Sequence, residues 1–451
     1  MNVLVINGSP KGKYSITLQT IHFLERKFPE HSFTVLNAGQ TIRAIEKDFT
    51  KSRELLLGAD AILFSYPVYT FIAPCQLHRF IELAKESGVE LRGKWATQIT
   101  TSKHFYDVTA HRYIEDNCAD LGLCYVQGLS ADMEDLTCEK GRKEAVGFWK
   151  HLRWQMEKGY AEAPRLFPME YEPIAASIPE ITGEDKQGDV VIIADMGEDT
   201  PSLMAMVERF RAVLGVKTRV VNLRDYPFRG GCLGCFNCAG DGKCVYTDGF
   251  DEFLRTKIQT AQAMVYAFAI KDHSMGSLFK LYDDRQFCNG HRTVTIGMPV
   301  AYLISGNYSA EVNLQTVIEG RANVGSNILA GIACDERDTD AQIDRVADSL
   351  MYALENKNTQ PQNFYGVGGM KIFRDLIYQM RGMMRADHRF FKSHGQYDFP
   401  QKQKGKILLM YLVGLLNTPK MKAKMGGKMN EGMLMPYKKV LDALDKQTEA
   451  E

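Results

Sequence analysis

The sequence predicts an α/β chain made of two tandem, doubly wound parallel sheets followed by a helical extension. Across residues 1–160, short apolar runs alternate with segments of helical periodicity. The pattern restarts at Asp189, and from about residue 356 the composition shifts to Met, Lys and aromatic residues. At 451 residues the chain exceeds the size at which one core keeps growing, so several domains are expected. The boundaries read as 1–160, a linker over 161–187, 188–355, and 356–451.

In the first region, Val3–Ile6 reads as a buried strand, Gly8-Ser-Pro10 as a turn and Ile16–Phe28 as a helix. Phe33–Leu36 and Ala61–Phe64 read as strands with one charged helix between them. A helix over Pro74–Ser87, a strand over Trp95–Thr100, a helix around Asp107–Leu121 and a strand over Leu123–Val126 complete the series. Five strands alternating with helices imply a parallel sheet covered on both faces, and right-handed crossovers wind it doubly. Residues 161–187 hold prolines and acidic turns, hence the linker. Thereafter Asp189–Ala194, Thr218–Asn222, Ala263–Phe268 and Val300–Ile304 read as strands. Helices are expected over Ser202–Leu214, from Phe250 and near Leu278.

Composition narrows the function. With 45% hydrophobic and 24% charged residues and zero net charge, no global field recruits nucleic acid or a membrane. The longest apolar run, Ile407–Leu416, is too short to span a bilayer. The first residues enter a strand rather than a basic leader, so a cytoplasmic setting is expected, where clustered thiols serve metal or redox chemistry. For the tail, helices packed on the second domain with solvated basic faces are favoured over a membrane-surface segment with Lys flanks.

Four of the ten cysteines, Cys232, Cys235, Cys238 and Cys244, fall in a C-x2-C-x2-C-x5-C stretch with glycines in its last gap. The spacing suits a [4Fe–4S] cluster, which takes one thiolate per iron. A zinc ion and a dithiol switch are the competing readings. The stretch follows the second strand of the second region, on the side where open α/β sheets bind ligands. Cys75, Cys118, Cys124, Cys138, Cys288 and Cys334 read as isolated core or surface residues, and His273, His291 and His388 lie near no ligand pattern.

A second pattern, Asn7-Gly-Ser9-Pro10 through Ser15-Ile-Thr17, leaves the first strand and opens the first helix. Free backbone N–H groups and the helix dipole favour an anion there, and the Ser and Thr hydroxyls suit a phosphomonoester such as that of FMN. A simple helix cap is the alternative. Pro67-Val68-Tyr69 after the third strand, and Thr101-Ser102 with His104 after the fourth, fall where a flat ring would lie.

These residues resemble the NADPH-dependent FMN reductases of the flavodoxin-like superfamily, and the cysteine stretch resembles its iron–sulfur flavoproteins. The resemblance covers most of residues 1–355. It implies that Ser9, Pro10, Ser15 and Thr17 belong to an FMN-phosphate loop, and that Pro67, Val68, Tyr69, Thr101 and Ser102 lie along the isoalloxazine. NAD(P)H or a ferredoxin-like protein is the implied donor, and partners are small-molecule or protein electron carriers. The oligomeric state stays open. One departure stands out: the second region's first loop carries Asp195, Glu198 and Asp199, where a phosphate needs donors. Flavin and cluster are therefore expected on different halves of one chain. A plain flavin or quinone reductase with zinc-bound or metal-free cysteines is the rival enzyme, and a non-enzymatic redox carrier or sensor the rival class.

Overall fold

The structure, a computed structural model, describes residues 1–166, 170–179, 186–416, 418–420, 424 and 428–448. Its two compact units are residues 1–391 and 392–451.

The first sheet holds β1 (Asn2–Asn7), β2 (Ser32–Leu36), β3 (Ala61–Pro67), β4 (Trp95–Ser102), β5 (Cys124–Tyr125) and β6 (Leu129–Asp132). All pairs are parallel, in the order β2-β1-β3-β4-β5, with β6 also on β4. The fifth strand expected over Leu123–Val126 is β5, and β6 was not foreseen. Between them Gly128 crosses Gln98 so closely that a Cβ would lie 2.5 Å from the Gln98 carbonyl oxygen. The surrounding helices are α1 (Ile16–Lys27), α2 (Ala38–Lys47), α3 (Thr50–Gly58), α4 (Cys75–Glu86), α5 (Asp107–Asp120) and α6 (Glu139–Lys158). The single charged helix expected after β2 breaks into α2 and α3. Asp48 turns extended there, and its carboxylate takes the Thr50 N–H at 2.9 Å, a local bond that competes with the helix. Helix α6 was not foreseen; it buries Ala145, Trp149 and Leu152 against β1 and β3.

The second sheet holds β7 (Lys186–Ala194), β8 (Val216–Asn222), β9 (Ala263–Ala269), β10 (Pro299–Ser305) and β11 (Ile328–Cys334). It too is all parallel, in the order β8-β7-β9-β10-β11, so both sheets follow the strand order 2-1-3-4-5. Its helices are α7 (Pro201–Leu214), α8 (Asn237–Asp241), α9 (Phe250–Phe253), α10 (Gly276–Arg285), α11 (Val312–Val324) and α12 (Thr339–Asn356).

The sheets meet through α4 and α5 on one side and α10 and α11 on the other. One apolar cluster runs from Leu4 and Phe80 through to Phe279 and Ile304. Polar clasps cross it. Buried Glu82 accepts the Ser277 N–H and O–H, both at 2.7 Å. His273 bridges Asp120 and Glu311, each at 2.9 Å.

Parts of the expected linker are docked. Tyr171 donates to Asp335 at 2.5 Å, and Ser177 N–H reaches Asp340 at 2.9 Å. The unit ends with α13 (Phe364–Gln379) and most of α14 (Arg385–Ser393). Helix α13 lies on α11, and Gly366 and Gly369 permit the approach: a Cβ would meet Asn323 O at 2.8 Å and Val324 at 2.7 Å. The second unit contains α15 (Lys404–Leu416) and α16 (Lys428–Thr448). The apolar side chains of α15 and α16 are exposed; of the tail helices expected to pack on the second domain, α13 does so, against α11. Among the described residues no helix is long and apolar enough to cross a membrane.

Candidate functional site

Strand β1 ends at fully buried Asn7, whose side chain shapes the loop beyond it. Its oxygen accepts the Ser9 N–H at 3.2 Å, and its nitrogen donates to Gly12 O at 3.0 Å and Asn37 at 2.9 Å. Ser15 caps α1 by accepting the Leu18 N–H at 3.4 Å. The Thr17 and Thr101 hydroxyls lie 2.6 Å apart, tying this loop to the end of β4. Pro10 is buried and is not on the cavity wall described below.

Past β3, Pro67, Val68 and Tyr69 lead into a turn closed by Tyr69 N–H to Ile72 O at 2.8 Å. Thr70 and Phe71 take positive φ there, 39° and 76°. The second sheet holds that turn in place. Fully buried Lys280 of α10 donates to Tyr69 O at 3.0 Å, and it also reaches Thr70 Oγ1 and the Asp284 carboxylate. Asp284 in turn accepts the Thr70 hydroxyl at 2.6 Å and the Cys75 N–H at 2.8 Å. Burial pushes the Asp284 carboxyl up, against the pull of Lys280.

The cysteine loop after β8 folds over this same edge. Arg285 anchors it, donating to Gly230 O at 2.9 Å and to Asp248 at 2.7 and 2.8 Å, with its guanidinium 4.4 Å from the Tyr246 ring centroid. Gly234 N–H points to Cys232 Sγ at 3.4 Å, and Cys238 Sγ donates to Phe287 O at 2.8 Å. Burial raises the Cys232 thiol and brings Cys238 to about 11, so both hold their protons at neutral pH as folded here.

One cavity unites these pieces. Its wall includes Ser9, Ser15, Thr17, Pro67, Val68, Tyr69, Thr101 and Ser102 from the first half. From the second half come Cys232, Cys235, Cys238 and Cys244. The described residues lining it include Lys11, Lys103 and Arg285 and no Asp or Glu. The four thiols share a wall without forming a closed claw. Among the described residues, no three His, Cys, Asp or Glu side chains converge on a position for one metal ion. Cys238 is turned to the Phe287 carbonyl, and Cys235 is exposed.

Sequence reasoning missed several wall residues. Cys288, read as isolated, and His291, read as near no ligand pattern, both line the cavity, and burial raises the Cys288 thiol to about 12. Phe373 of α13 stacks on Phe105 with ring centroids 4.4 Å apart and adds a wall from the tail. His104 is off the wall and pairs with Asp107 at 2.7 Å.

The equivalent edge of the second sheet is already filled. Arg224 binds Asp195 at 2.8 Å and Asp199 at 3.1 Å. Fully buried Asp335 accepts Ser202 Oγ at 2.6 Å, Ser305 Oγ at 2.7 Å and Gly306 N–H at 2.9 Å. The donors that could face an anion there are held by the chain's own carboxylate.

No curated protein matches the chain. Among solved structures, an NADPH-quinone reductase from P. pentosaceus is similar at 18% identity, covering 34% of this chain and 98% of its own, with a TM-score of 0.28. General stress protein 14 from Treponema denticola, in complex with FMN, is similar at 14% identity, covering 34% and 98%, with a TM-score of 0.27. An FMN-dependent NADH-azoreductase from Bacillus anthracis, also in complex with FMN, is similar at 14% identity, covering 35% and 99%, with a TM-score of 0.27. Residues 1–129 match the family model for the flavodoxin-like fold. The first sheet and its loops thus carry a flavodoxin-like fold.

Proposed function

We propose that the chain is a flavin-dependent oxidoreductase that binds FMN at the first sheet and a [4Fe–4S] cluster at the cysteine loop, with NAD(P)H or a ferredoxin-like protein as donor. The observation that carries this reading is one cavity, free of carboxylates among its described residues, that joins the buried Ser9, Ser15, Thr17, Thr101 and Ser102 to four thiols.

The first-half residues suit the FMN phosphate, whereas the four thiols offer the donor chemistry of iron ligands without converging as folded here. Ser9 and Ser15 can donate O–H to a phosphate dianion. The Thr17–Thr101 pair uses one proton between its oxygens and leaves the other free to donate. Lys11 supplies positive charge on the same wall, while Lys103 is already paired with Asp132 at 2.8 Å. Pro67, Val68 and Tyr69 offer a rigid edge to a flat ring, and Phe105 stacked on Phe373 keeps water from one side. Four thiols with no competing carboxylate suit iron, and each gives up its proton on ligation. When bound, FMN supplies two-electron chemistry and the cluster one-electron chemistry.

A second reading, a flavin or quinone reductase with metal-free cysteines, is favoured by the Cys238–Phe287 hydrogen bond and the lack of convergence among the thiols. Anaerobic purification with FMN, iron and acid-labile sulfide analysis separates the two. The cluster reading expects all three components, bleaching of the flavin band by NAD(P)H, and loss of the broad visible band in Cys235→Ser with FMN retained. Flavin without iron supports the second reading. Loss of flavin from Cys235→Ser would overturn the division of labour between the halves.

A further inference from the structure

We propose that α15 and its lysine flanks dock the protein onto an anionic lipid surface. From Ile407 to Val413 seven consecutive apolar side chains are exposed, between 40% for Ile407 and 73% for Tyr411, and Leu415 adds 75%. At 3.6 residues per turn, seven consecutive positions circle the helix about twice. No side of α15 is therefore an inner face, and a helix apolar all round belongs in an apolar medium. Helix α16 repeats the signal on one stripe, with Met433, Leu434, Tyr437, Val440, Leu441 and Leu444 exposed at helical spacing.

Charge selects the occupant. Residues 402–428 contain seven lysines and no Asp or Glu. Lys402, Lys404 and Lys406 are exposed at one end of α15, and Lys420 and Lys424 beyond the other. A second copy on this face would bring seven more lysines against the first seven. Anionic headgroups instead neutralise them while the acyl boundary takes the apolar side chains. Thirteen residues of helix reach about 20 Å, short of the roughly 30 Å hydrocarbon core, so α15 sinks into one leaflet and does not span the bilayer.

The test is co-sedimentation of the full-length protein with phosphatidylcholine vesicles, with and without phosphatidylglycerol. Binding should be at least about tenfold stronger with phosphatidylglycerol and should fall steeply as salt is raised. Leu409→Glu/Leu412→Glu should abolish it. Replacing Lys404, Lys406, Lys420 and Lys424 by Gln should weaken it on anionic vesicles, with the thermal melt of every variant unchanged. Equal binding to both vesicles, no binding to either, or binding retained by the Glu variant overturns the proposal. So does a dimer, seen by light scattering, that the Glu variant dissociates, because that makes a second copy the occupant.

Discussion

Tyr69 of the first half and Gly234 of the second touch so closely that a Cβ on Gly234 would lie 1.9 Å from the Tyr69 hydroxyl oxygen. A Cβ on Gly231 would lie 2.1 Å from Cys75 Sγ. The cysteine loop is moulded onto the β3 loop, with glycine at both points of closest approach.

Gly234 also has a φ of +61°, so Gly234→Ala adds backbone strain to the clash. It should destabilise the protein by about 1–3 kcal/mol. Tyr69→Phe removes the nearest atom and leaves Cζ at 2.9 Å, so the double variant should recover part of that loss. A double-mutant cycle by urea unfolding reads the coupling, and simple additivity would mean that the two halves do not meet here.

Hydrogen bonds to a charged group are worth about 1.5–3 kcal/mol, so Ser9→Ala should raise the Kd for FMN roughly tenfold to a hundredfold. Ser202→Ala, at the edge filled by Asp335, should leave that Kd unchanged. Fluorescence titration with FMN checks both.

Lys280→Met leaves the Asp284 carboxylate buried without its cation and should cost about 3–5 kcal/mol. Adding Asp284→Asn should restore most of it, since the amide oxygen can accept the Cys75 N–H while the amide NH2 donates to the Thr70 hydroxyl oxygen. Denaturant midpoints of the single and double variants give the comparison.

Burial opposes charge on His273, but its hydrogen bonds to Asp120 and Glu311 outweigh that and raise it from 6.5 to about 10. A raised folded-state value stabilises fully below the unfolded value. The His273 clasp should therefore be at full strength below about pH 6.5 and fade as pH rises toward 10. Relative to His273→Gln, the wild-type advantage in thermal melting should shrink across that window, and a flat difference would remove His273 from the clasp.

The strands were legible because a buried parallel strand is a local apolar run, and both regions carry such runs in the same succession. Helix α6 was legible in principle: Ala145, Trp149, Leu152 and Met156 fall at helical spacing inside a charged sequence. Strand β11 likewise has its own run, Ile328-Leu-Ala-Gly-Ile-Ala-Cys334. The division of α2 from α3 hung on one side-chain bond at Asp48, which propensity does not resolve. Spacing named the thiols but could not say which way each points, since Cys238 is turned by a carbonyl from another segment. Cys288, His291 and Phe373 reach the cavity only through the packing of α10, its following loop and α13, and no local pattern marks them.

Asp335 gives the second half a permanent internal counterpart to the anion proposed for the first half. Its sheet edge is complete in the empty protein, so ligand can add nothing to it, whereas any anion seated at Ser9 and Ser15 stabilises the first edge by mass action. Amide exchange should slow around β1 and α1 when FMN is added and stay constant around β7 and α7, making the two sheets unequal partners in one folded body.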